Sequence, residues 1–546
     1  MPSTVPPIHT DLLSRAVYAE GAGIARAVPS AVTVARDAAE VEALVRWAAA
    51  RGEPLIPRGS GSGMAGGAVG RGVILDVSRI ADVGPVDAEH RRGWAGAGVV
   101  RAVVDGMARA HGLRFPVDPS SGAFCTVGGM AGTNAAGAHS LRYGPMRAWV
   151  TALDCVFDDG TRAVVRRGAP PPEVPAIRRF LAGARDAILA EPTRERRHVG
   201  VRKDSSGYAL EDWARSGELV DLLVGSEGTL AVFVGVELAL APVPGATSSL
   251  LAEFPTLEQA VDAATRARLA GASACELLDR TFLDVAAQGA AAGVDADAGA
   301  GAEIDRDTES VLLVEVEGED ASAATAVARA LERTFLDAGA TRVRLALDPA
   351  SERSLWELRH AASPILARLD PALKSMQFIE DGAVPPELLP RYVRGVREAL
   401  ASRGIRGVIF GHAGDANVHV NPLVDVRLPD WRERVRGVLD DVTALVARLG
   451  GTVAGEHGDG RLRAPLLERV WPERTMRLFR LVKDAFDPRG ILNPGVKLPL
   501  PGQSPAEEIK YDPALPPLPA AARAALDLVE RDRAYATLRL SLLERQ

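Results

Sequence analysis

Residues 56–63, which read Ile-Pro-Arg-Gly-Ser-Gly-Ser-Gly, follow a short predicted strand. Closely spaced glycines allow successive backbone N–H groups to converge on an anion, because no Cβ atom blocks the approach. Gly61, Gly63 and Gly66 also have the spacing of the dinucleotide-binding fingerprint, but that fingerprint requires a helix directly after the loop. The next predicted element is a strand at residues 73–76. The segment therefore excludes a Rossmann fold and leaves an anion-binding loop and a plain turn as alternatives.

Two further segments of the first half are rich in small residues. Residues 118–137 and residues 225–230 contain Asp118-Pro119-Ser120-Ser121, Thr126-Val127-Gly128-Gly129 and Glu227-Gly228. Small residues allow a ligand, or a packed helix, to approach the backbone closely. One such segment is explained by tight packing alone, but three in one region indicate a long ligand held by backbone groups.

The first half alternates helix-like and strand-like periodicity. Helices are predicted at residues 38–50 and 100–111, and strands at residues 54–57, 72–77 and 152–157, with two more in 222–240 that are broken at Gly225. Pro242 and Pro244 then interrupt the pattern. Because a chain of 546 residues exceeds one ordinary domain, we predict a boundary there and a first domain at residues 1–244.

The second half repeats strand–helix–strand units, which predict an open sheet with helices packed on one face. Strands are predicted at residues 250–254, 311–316, 377–380 and 408–410, and helices at residues 257–270, 322–338 and 388–403. An Ala/Gly/Asp-rich stretch at residues 286–302 is predicted to be a loop. Residues 245–499 are assigned to a substrate or cap domain. Residues 500–546 form a tail that is Pro-rich and then helical from residue 520 to 544.

The composition excludes several classes of protein. The formal net charge of −7 offers no basic face for a nucleic acid. The three cysteines lack metal-ligand spacing, so neither a disulfide framework nor an iron–sulfur cluster is expected. No apolar run is long enough to span a bilayer, so we expect a cytoplasmic protein without a transmembrane segment. Basic residues are nearly all arginine, so the few lysines stand out: Lys203, Lys374, Lys483, Lys497 and Lys510.

Histidine and acidic residues gather in two glycine-flanked motifs of the second half. One is Gly411-His412-Ala413-Gly414-Asp415-Ala416-Asn417-Val418-His419, and the other is Gly455-Glu456-His457-Gly458. Glycine and Asp-x-Asn disfavour a helix, so His412 and His419 are predicted to face each other across a turn. Two histidines and a carboxylate form a catalytic zinc-type ligand set that leaves positions open for substrate. Histidines that only form hydrogen bonds in a loop-rich core are the alternative.

Taken in order, the motifs of the first half resemble the FAD-binding domain of the vanillyl-alcohol-oxidase-type flavoproteins. They are Pro57-Arg58-Gly59-Ser60-Gly61, Asp118-Pro119-Ser120-Ser121, Thr126-Val127-Gly128-Gly129, Tyr143-Gly144 and Ser226-Glu227-Gly228-Thr229-Leu230. From about residue 20 to 499 the chain is most similar to the branch of glycolate oxidase FAD subunits, D-lactate dehydrogenases and D-2-hydroxyglutarate dehydrogenases. The resemblance implies an α+β protein, with a two-subdomain FAD-binding domain and an α+β cap domain with an antiparallel sheet.

FAD is the cofactor that the resemblance implies, with the first glycine-rich loop on its pyrophosphate. That loop contains no histidine, so non-covalent FAD is expected, although Cys125 and His139 keep a covalent link as an alternative. The residues implied to bind FAD are Pro57, Arg58, Gly59, Ser60, Gly61, Ser62, Asp118, Pro119, Ser120, Thr126, Gly128, Gly129, Asn134, Gly137, Glu227, Gly228 and Asn493.

The resemblance also implies a metal site and a substrate site. His412, His419 and Glu456 are the expected ligands of a divalent metal, with zinc favoured and manganese or iron as alternatives, and His457 is the expected general base. Arg359 is expected to hold the substrate carboxylate. Lys374 matches a substrate-site lysine of some relatives, with a surface charge as the alternative, and Asn421 and Ser363 are weaker candidates. Asp415 and Asn417 are expected to orient the metal-binding side chains through hydrogen bonds. The carboxylates of Glu380 and Asp381 are either structural or functional, and Ala416 stands where relatives usually have glycine.

The implied reaction is oxidation of a small D-2-hydroxy acid, of the lactate, glycolate or 2-hydroxyglutarate class, to the 2-oxo acid. A metal lowers the pKa of the hydroxyl group, a neutral histidine takes its proton, and hydride passes to the flavin. Ser205-Ser206-Gly207-Tyr208 resembles relatives that are fused to an iron–sulfur half. Electrons are therefore expected to pass to a separate iron–sulfur protein, an electron-transfer flavoprotein or a quinone, and a homodimer is compatible with the sequence.

Three other functions remain open at this point. One is a metal-dependent hydrolase that uses His412, His419 and Glu456 without flavin. The others are a non-catalytic flavoprotein subunit and a flavin alkyl transferase of the same superfamily.

Overall fold

Two sheets organise the first half of the chain. The computed structural model describes residues 4–291, 304–360 and 372–543. The first sheet has four strands, in the order Ile8–His9, Ala31–Val34, Val73–Asp76 and Leu55–Arg58. The second is antiparallel and has the order Val83–Asp87, Arg92–Gly96, Val232–Ala239, Val150–Val156 and Arg162–Arg166. A separate two-stranded pair joins Leu113–Arg114 to Ala241–Pro242.

The glycine-rich segment connects two parallel strands of the first sheet. It leaves the strand Leu55–Arg58, and the chain returns as the parallel strand Val73–Asp76. Residues 59–72 contain no helix, so the exclusion of a Rossmann fold is confirmed. Gly61 has a left-handed backbone conformation with φ of 73°, which a residue with a Cβ adopts only at a cost.

Short helices surround these two sheets. Asp37 caps the helix Ala38–Arg51, because its side chain accepts the backbone N–H of Glu40. Thr126 caps the helix Val127–Thr133 in the same way. The remaining helices of this half are Leu12–Ala16, Arg101–Arg109, Ser140–Tyr143, Pro175–Gly183, Arg185–Leu189, Leu210–Ser216 and Leu219–Leu223.

One large antiparallel sheet, here called the site sheet, forms the second half. It has eight strands within the described ranges. Its main path runs Arg342–Ala346, Ala246–Phe254, Ser310–Gly318, Ala274–Asp279, Arg406–His412, Asn417–Asp425 and Leu373–Ser375, and Gly382–Ala383 pairs with Asn417–Asp425. The predicted α+β class with an antiparallel cap sheet is confirmed.

Alternation along the strands separates a packed face of the site sheet from a polar face. Ile409 and Val420 point into the main core, which is covered by the helices Leu257–Leu269, Ala321–Asp337, Leu389–Ser402 and Trp431–Arg448. Phe410, His412 and His419 occupy the alternate positions and line a cavity on the other face. The helices Arg280–Ala291 and Pro349–His360 pack on this second face. Helices on one face only were therefore a wrong expectation.

Local predictions fail where short apolar or small-residue runs do not distinguish a strand, a helix and a loop. Residues 222–223 belong to a buried helix, Leu219–Leu223, and only Val232–Ala239 is a strand. The predicted strand at 377–380 lies instead at Leu373–Ser375, after which the chain turns toward the site. Alanine favours helix, so residues 286–291 continue the helix Arg280–Ala291, while the rest of that predicted loop to residue 302 lies outside the described residues.

After residue 460 the chain returns to the first half. The helices Leu467–Val470 and Glu473–Phe486 pack with the core of the antiparallel five-stranded sheet, whereas Leu462 of the helix Gly460–Arg463 packs with the main core under the site sheet. In the tail, the helix Ala520–Arg531 ends earlier than predicted, and a single 3-10 turn follows at Leu540–Leu542. None of the helices in the described ranges has the length and apolar character needed to cross a bilayer.

The tight turn between His412 and His419 yields a test of backbone strain. Ala416 is buried with φ of 53°, whereas Ala413, also buried, lies in the 3-10 turn Ala413–Asp415. Both Ala→Gly variants lose one buried methyl group, but only Ala416→Gly relieves a left-handed conformation. Ala413→Gly should therefore lower the free energy of unfolding by about 1 kcal/mol more than Ala416→Gly. Equal losses in denaturant unfolding of the two variants would contradict this account.

Candidate functional site

A single cavity of about 910 Å³ lies between the two halves of the chain. This volume is near the upper end of the range for small-molecule sites, about 300–1,000 Å³. One wall is formed by the glycine-rich segments at residues 57–63, 118–129 and 227–228. The opposite wall is the polar face of the site sheet, with Glu276, Arg359, His412, His419, Asn421, Glu456 and His457.

Most residues predicted to bind a cofactor line this cavity. The lining includes Pro57, Arg58, Gly59, Ser60, Gly61, Ser62, Asp118, Pro119, Ser120, Thr126, Gly128, Gly129, Gly137, Glu227 and Gly228. Asn134 and Asn493 are not among the described lining residues. Asn134 accepts the backbone N–H of Arg147, and Asn493 donates to the carbonyls of Gly67 and Glu227. Asn493 therefore holds backbone groups of the cavity wall, whereas Asn134 binds a residue that is not among the described lining.

Glycine is required at two points of this wall by close approach. A Cβ atom at Gly59 would lie 2.1 Å from Oγ1 of Thr126, and one at Gly137 would lie 2.3 Å from the carbonyl of Asp118. His139, a candidate for a covalent link, is held instead between two carboxylates, with Nδ1 2.6 Å from Asp118 and Nε2 2.8 Å from Glu315. Cys125 is buried, and burial raises the pKa of its thiol to about 11.

Three side chains converge at the far end of the cavity, as the histidine motifs suggested. Nε2 of His412 lies 3.1 Å from Oε1 of Glu456, and Nε2 of His419 lies 3.2 Å from the same oxygen. The ring centroids of the two histidines are 5.2 Å apart. All three residues are buried, and their ligand atoms lie within 4.8 Å of one another.

The outer nitrogens of the two histidines are already engaged as donors. Nδ1 of His412 lies 2.5 Å from a carboxylate oxygen of Glu276, and Nδ1 of His419 lies 3.0 Å from the carbonyl of Glu380. Carboxylate and carbonyl oxygens only accept, so both Nδ1 atoms carry hydrogens. This is the arrangement by which metal-bound histidines are oriented in proteins.

Nε2 of His419 and Oε1 of Glu456 are two acceptors that face each other, and a cation between them would remove this repulsion. Burial lowers the pKa of His419 to about 4, so its ring is neutral at pH 7 and Nε2 carries a lone pair. That lone pair faces Oε1 of Glu456, which is also an acceptor. Burial opposes the charged form of His412 as well, but the carboxylate of Glu276 prevails and raises its pKa to about 9, so a metal that binds Nε2 of His412 must displace a proton from it. The donor set thus fits a divalent metal between the three inner atoms.

Asp381 positions the loop that carries Glu456 and His457. Its carboxylate accepts the backbone N–H groups of both residues, at 3.1 Å and 2.8 Å. It also accepts a hydrogen bond from the amide of Asn417 at 3.1 Å and one from Arg463 at 3.2 Å. The acidic pair that the sequence left undecided is therefore structural at Asp381.

Glu380 orients His457, the predicted base. Nδ1 of His457 lies 2.7 Å from Oε2 of Glu380, so Nδ1 carries the hydrogen in the neutral ring. Nε2 lies 3.6 Å from Oε1 of Glu456. His457 is 29% exposed and lines the cavity, and Arg463 pairs with the other oxygen of Glu380. Nε2 is thus the ring nitrogen available to accept a proton.

The predicted substrate-binding residues separate into two groups. Arg359 and Asn421 line the cavity, and Nε of Arg359 donates to Glu276 at 2.8 Å. Lys374 lies on the strand Leu373–Ser375 with its ammonium group 5.8 Å from the ring of Tyr511, and it is not among the described lining residues. Ser363 lies outside the described residues.

Lys203 is a site residue that the sequence motifs did not assign. Its buried ammonium group lies 2.7 Å from Oε2 of Glu456. Burial alone would raise the pKa of Glu456, but Lys203 and His412 outweigh burial and hold that pKa well below its usual range. The scarcity of lysine was the available signal, since Lys497 is also fully buried against Glu227 and Asp459.

Comparison with known proteins agrees with this arrangement of two halves. A family model described as "FAD binding domain" matches residues 29–166, and one described as "FAD linked oxidases, C-terminal domain" matches residues 243–496. A D-lactate dehydrogenase of Archaeoglobus fulgidus is 31% identical over 459 residues, which cover 84% of this chain and 88% of the relative. The chain belongs to the FAD-linked oxidase family. The resemblance drawn from the motifs is confirmed, and this FAD-linked oxidase is an FAD-dependent oxidoreductase.

Two further relatives support the family and the fold. The glycolate oxidase subunit GlcD of Bacillus subtilis is 29% identical to this FAD-linked oxidase over 475 residues, covering 86% of this chain and 89% of the relative. Among solved structures, a 4-ethylphenol oxidase from Gulosibacter chungangensis aligns with a TM-score of 0.65 at 16% identity, covering 90% of this chain and 94% of the other. At that identity the structural match supports the fold alone.

The buried position of Asp381 predicts a large effect of its removal. Asp381→Ala leaves two backbone N–H groups without their acceptor and weakens the pairing of buried Arg463, so the free energy of unfolding should fall by at least about 3 kcal/mol. Asp440→Ala removes an exposed aspartate that pairs with Arg469, and should change it by less than about 0.5 kcal/mol. Denaturant unfolding measures both, and a small loss in Asp381→Ala would contradict the assigned role.

Proposed function

We propose that this FAD-linked oxidase oxidises a small D-2-hydroxy acid to the 2-oxo acid beside a divalent metal. The observation that carries the proposal is the shared cavity, in which the inner atoms of His412, His419 and Glu456 lie on the wall opposite the glycine-rich segments. The relatives named as a D-lactate dehydrogenase and a glycolate oxidase subunit support this substrate class. The sizes of lactate, glycolate and 2-hydroxyglutarate differ only beyond the reacting carbon.

The chain supplies positioning and proton transfer around the reacting carbon. When bound, FAD accepts a hydride and a divalent metal lowers the pKa of the substrate hydroxyl group. Nε2 of His457 accepts the hydroxyl proton, while Glu380 keeps the hydrogen of the ring on Nδ1. The guanidinium group of Arg359 binds the substrate carboxylate, a pairing that its planar fork favours. Asn421 offers a further polar contact on the same wall.

The metal proposal rests on the donor set. Two imidazoles and one carboxylate suit zinc, and manganese or iron remain alternatives. Electrons are proposed to leave to a separate acceptor: an iron–sulfur protein, an electron-transfer flavoprotein or a quinone. A hydrolase without flavin is disfavoured, because the glycine-rich wall and the family both indicate FAD.

The reaction is tested by anaerobic mixing of the FAD-loaded enzyme with D- and L-2-hydroxy acids. Loss of the absorbance of oxidised flavin with a D-enantiomer, and slower loss after chelation, is the expected outcome. No bleaching by any hydroxy acid would reject the substrate class. Reoxidation of the reduced flavin by oxygen alone, as fast as by an artificial acceptor, would make the enzyme an oxidase and reject the separate acceptor.

Replacement of the proposed base has a defined expectation. His457→Gln should lower the rate of flavin reduction by a factor of about 10² to 10⁴, because it removes Nε2, the proposed acceptor of the hydroxyl proton. His90→Gln is the matched control, since His90 is exposed and pairs only with Asp87 among its described contacts. Stopped-flow absorbance measures both rates. A normal rate in His457→Gln, with bound FAD retained, contradicts the assignment.

Metal content tests the ligand set independently of turnover. His412→Gln should reduce bound metal per chain by about 10-fold or more at limiting metal, because one of three ligands is lost. His198→Gln removes another buried histidine, which pairs with Asp204 and the carbonyl of Val470, and should keep the metal. Elemental analysis after dialysis measures the stoichiometry. Equal metal content in the two variants would reject the site.

A further inference from the structure

The tail of the chain returns to the cofactor wall of the cavity. Glu530, Arg533 and Tyr535 line the same cavity as the glycine-rich segments. The matched family models end at residue 496, so these residues lie beyond the region that the family shares. The sequence predicted no function for this tail, but its position in the structure places three of its residues at the cavity.

An aromatic pair and an exposed cation mark this part of the cavity. The ring of Tyr535 lies 5.1 Å from the ring of Phe124, which belongs to the second glycine-rich segment. Arg533 is exposed at the mouth of the cavity and has no ion-pair partner in the described part of the chain. Its backbone is left-handed, with φ of 51°. Aromatic faces stack on planar rings, and an arginine pairs with phosphate oxygens.

Arg539 contacts the backbone of the first glycine-rich loop. Its guanidinium group is buried and donates to the carbonyl of Ser60 at 3.2 Å, and its Nε has no hydrogen-bond partner within the described residues. The neighbouring Arg58 is also buried and donates to the carbonyls of Tyr18, Glu20 and Ala68. Neither guanidinium forms an ion pair inside the described ranges. The carboxylate of buried Asp76 interacts with both guanidinium groups, so two buried cations share one carboxylate, and the remaining positive charge beside Ser60 favours an anion on that loop.

Packing and ion-pair contacts fix the tail against the first half of the chain. Ala522, Ala525 and Val529 of the helix Ala520–Arg531 pack with Tyr18 and Ile56 in a buried cluster. Arg523 pairs with buried Glu20, and Ile509 forms a β-bridge with Ala25. These contacts fix the approach of the segment that follows.

We propose that residues 533–543 are part of the FAD-binding site. Tyr535, with Phe124, forms an aromatic wall for a planar part of the cofactor, Arg533 pairs with its phosphate or ribose oxygens, and Arg539 is a positioning residue that holds the loop at Ser60. This inference rests on the FAD part of the proposed function and is independent of the hydroxy-acid substrate.

The test measures FAD binding to the full chain after removal of FAD, by flavin fluorescence and by the rate of FAD dissociation. Tyr535→Ala and Arg533→Ala should each raise the dissociation constant by about fivefold to tenfold or more. Arg539→Met should do the same, and Arg539→Lys should restore part of the affinity because it returns the charge. The thermal midpoint of the FAD-free protein is recorded for each variant.

Arg531→Ala is the matched control, because Arg531 is exposed at the end of the preceding helix, pairs with Asp532, and is not among the described lining residues of the cavity. It should bind FAD within about twofold of the unaltered chain. Arg533→Ala changes an exposed residue and should preserve folding. If Tyr535→Ala is unstable, the FAD affinity of Arg533→Ala alone tests the proposal. Affinity of Arg533→Ala and Tyr535→Ala equal to that of Arg531→Ala overturns the proposal. If the unaltered chain binds no FAD, the cofactor assignment itself is wrong.

Discussion

The buried carboxylate of Asp381 is the interaction on which the arrangement of the site depends. It joins the turn before Gly382–Ala383 to the loop at residues 455–457, and through Asn417 to the strand Asn417–Asp425. These three segments are distant in sequence, and each contributes a residue to the proposed chemistry. A fully buried carboxylate is costly unless its oxygens are satisfied, so the donors that satisfy it are fixed in place. The convergence of His412, His419 and Glu456 follows from that constraint.

Each of three buried carboxylates in the site lies between basic side chains. Glu276 lies between His412 and Arg359, Glu456 lies between the histidines and Lys203, and Glu380 lies between His457 and Arg463. Each carboxylate therefore contacts one arginine or lysine and at least one imidazole. This arrangement fixes the ring orientations before any ligand binds, which is the pre-organisation that catalysis by positioning requires.

The parts of the site that could be predicted are those encoded locally. The glycine-rich segments and the spacing of His412 and His419 are visible in a single stretch of chain, and the strand pair Arg406–His412 and Asn417–Asp425 has the predicted turn between them. Contacts that join distant segments carry no such local signal. Lys203 reaches Glu456 across 253 positions, and Lys374 lies near Tyr511, away from the cavity, although its local motif suggested otherwise. The helix at Leu219–Leu223 was missed because a short buried apolar run has no distinctive period.

The contact between Ser60 and Arg539 joins positions 479 residues apart. A chain emerging from the ribosome folds its early segments first, at about 5–20 residues per second, so the glycine-rich loop is made well before the segment that closes over it. The loop is therefore made roughly half a minute to one and a half minutes before Arg539 is available to contact it. The FAD site in the proposed form, with the tail as one of its parts, is therefore completed only late in biosynthesis.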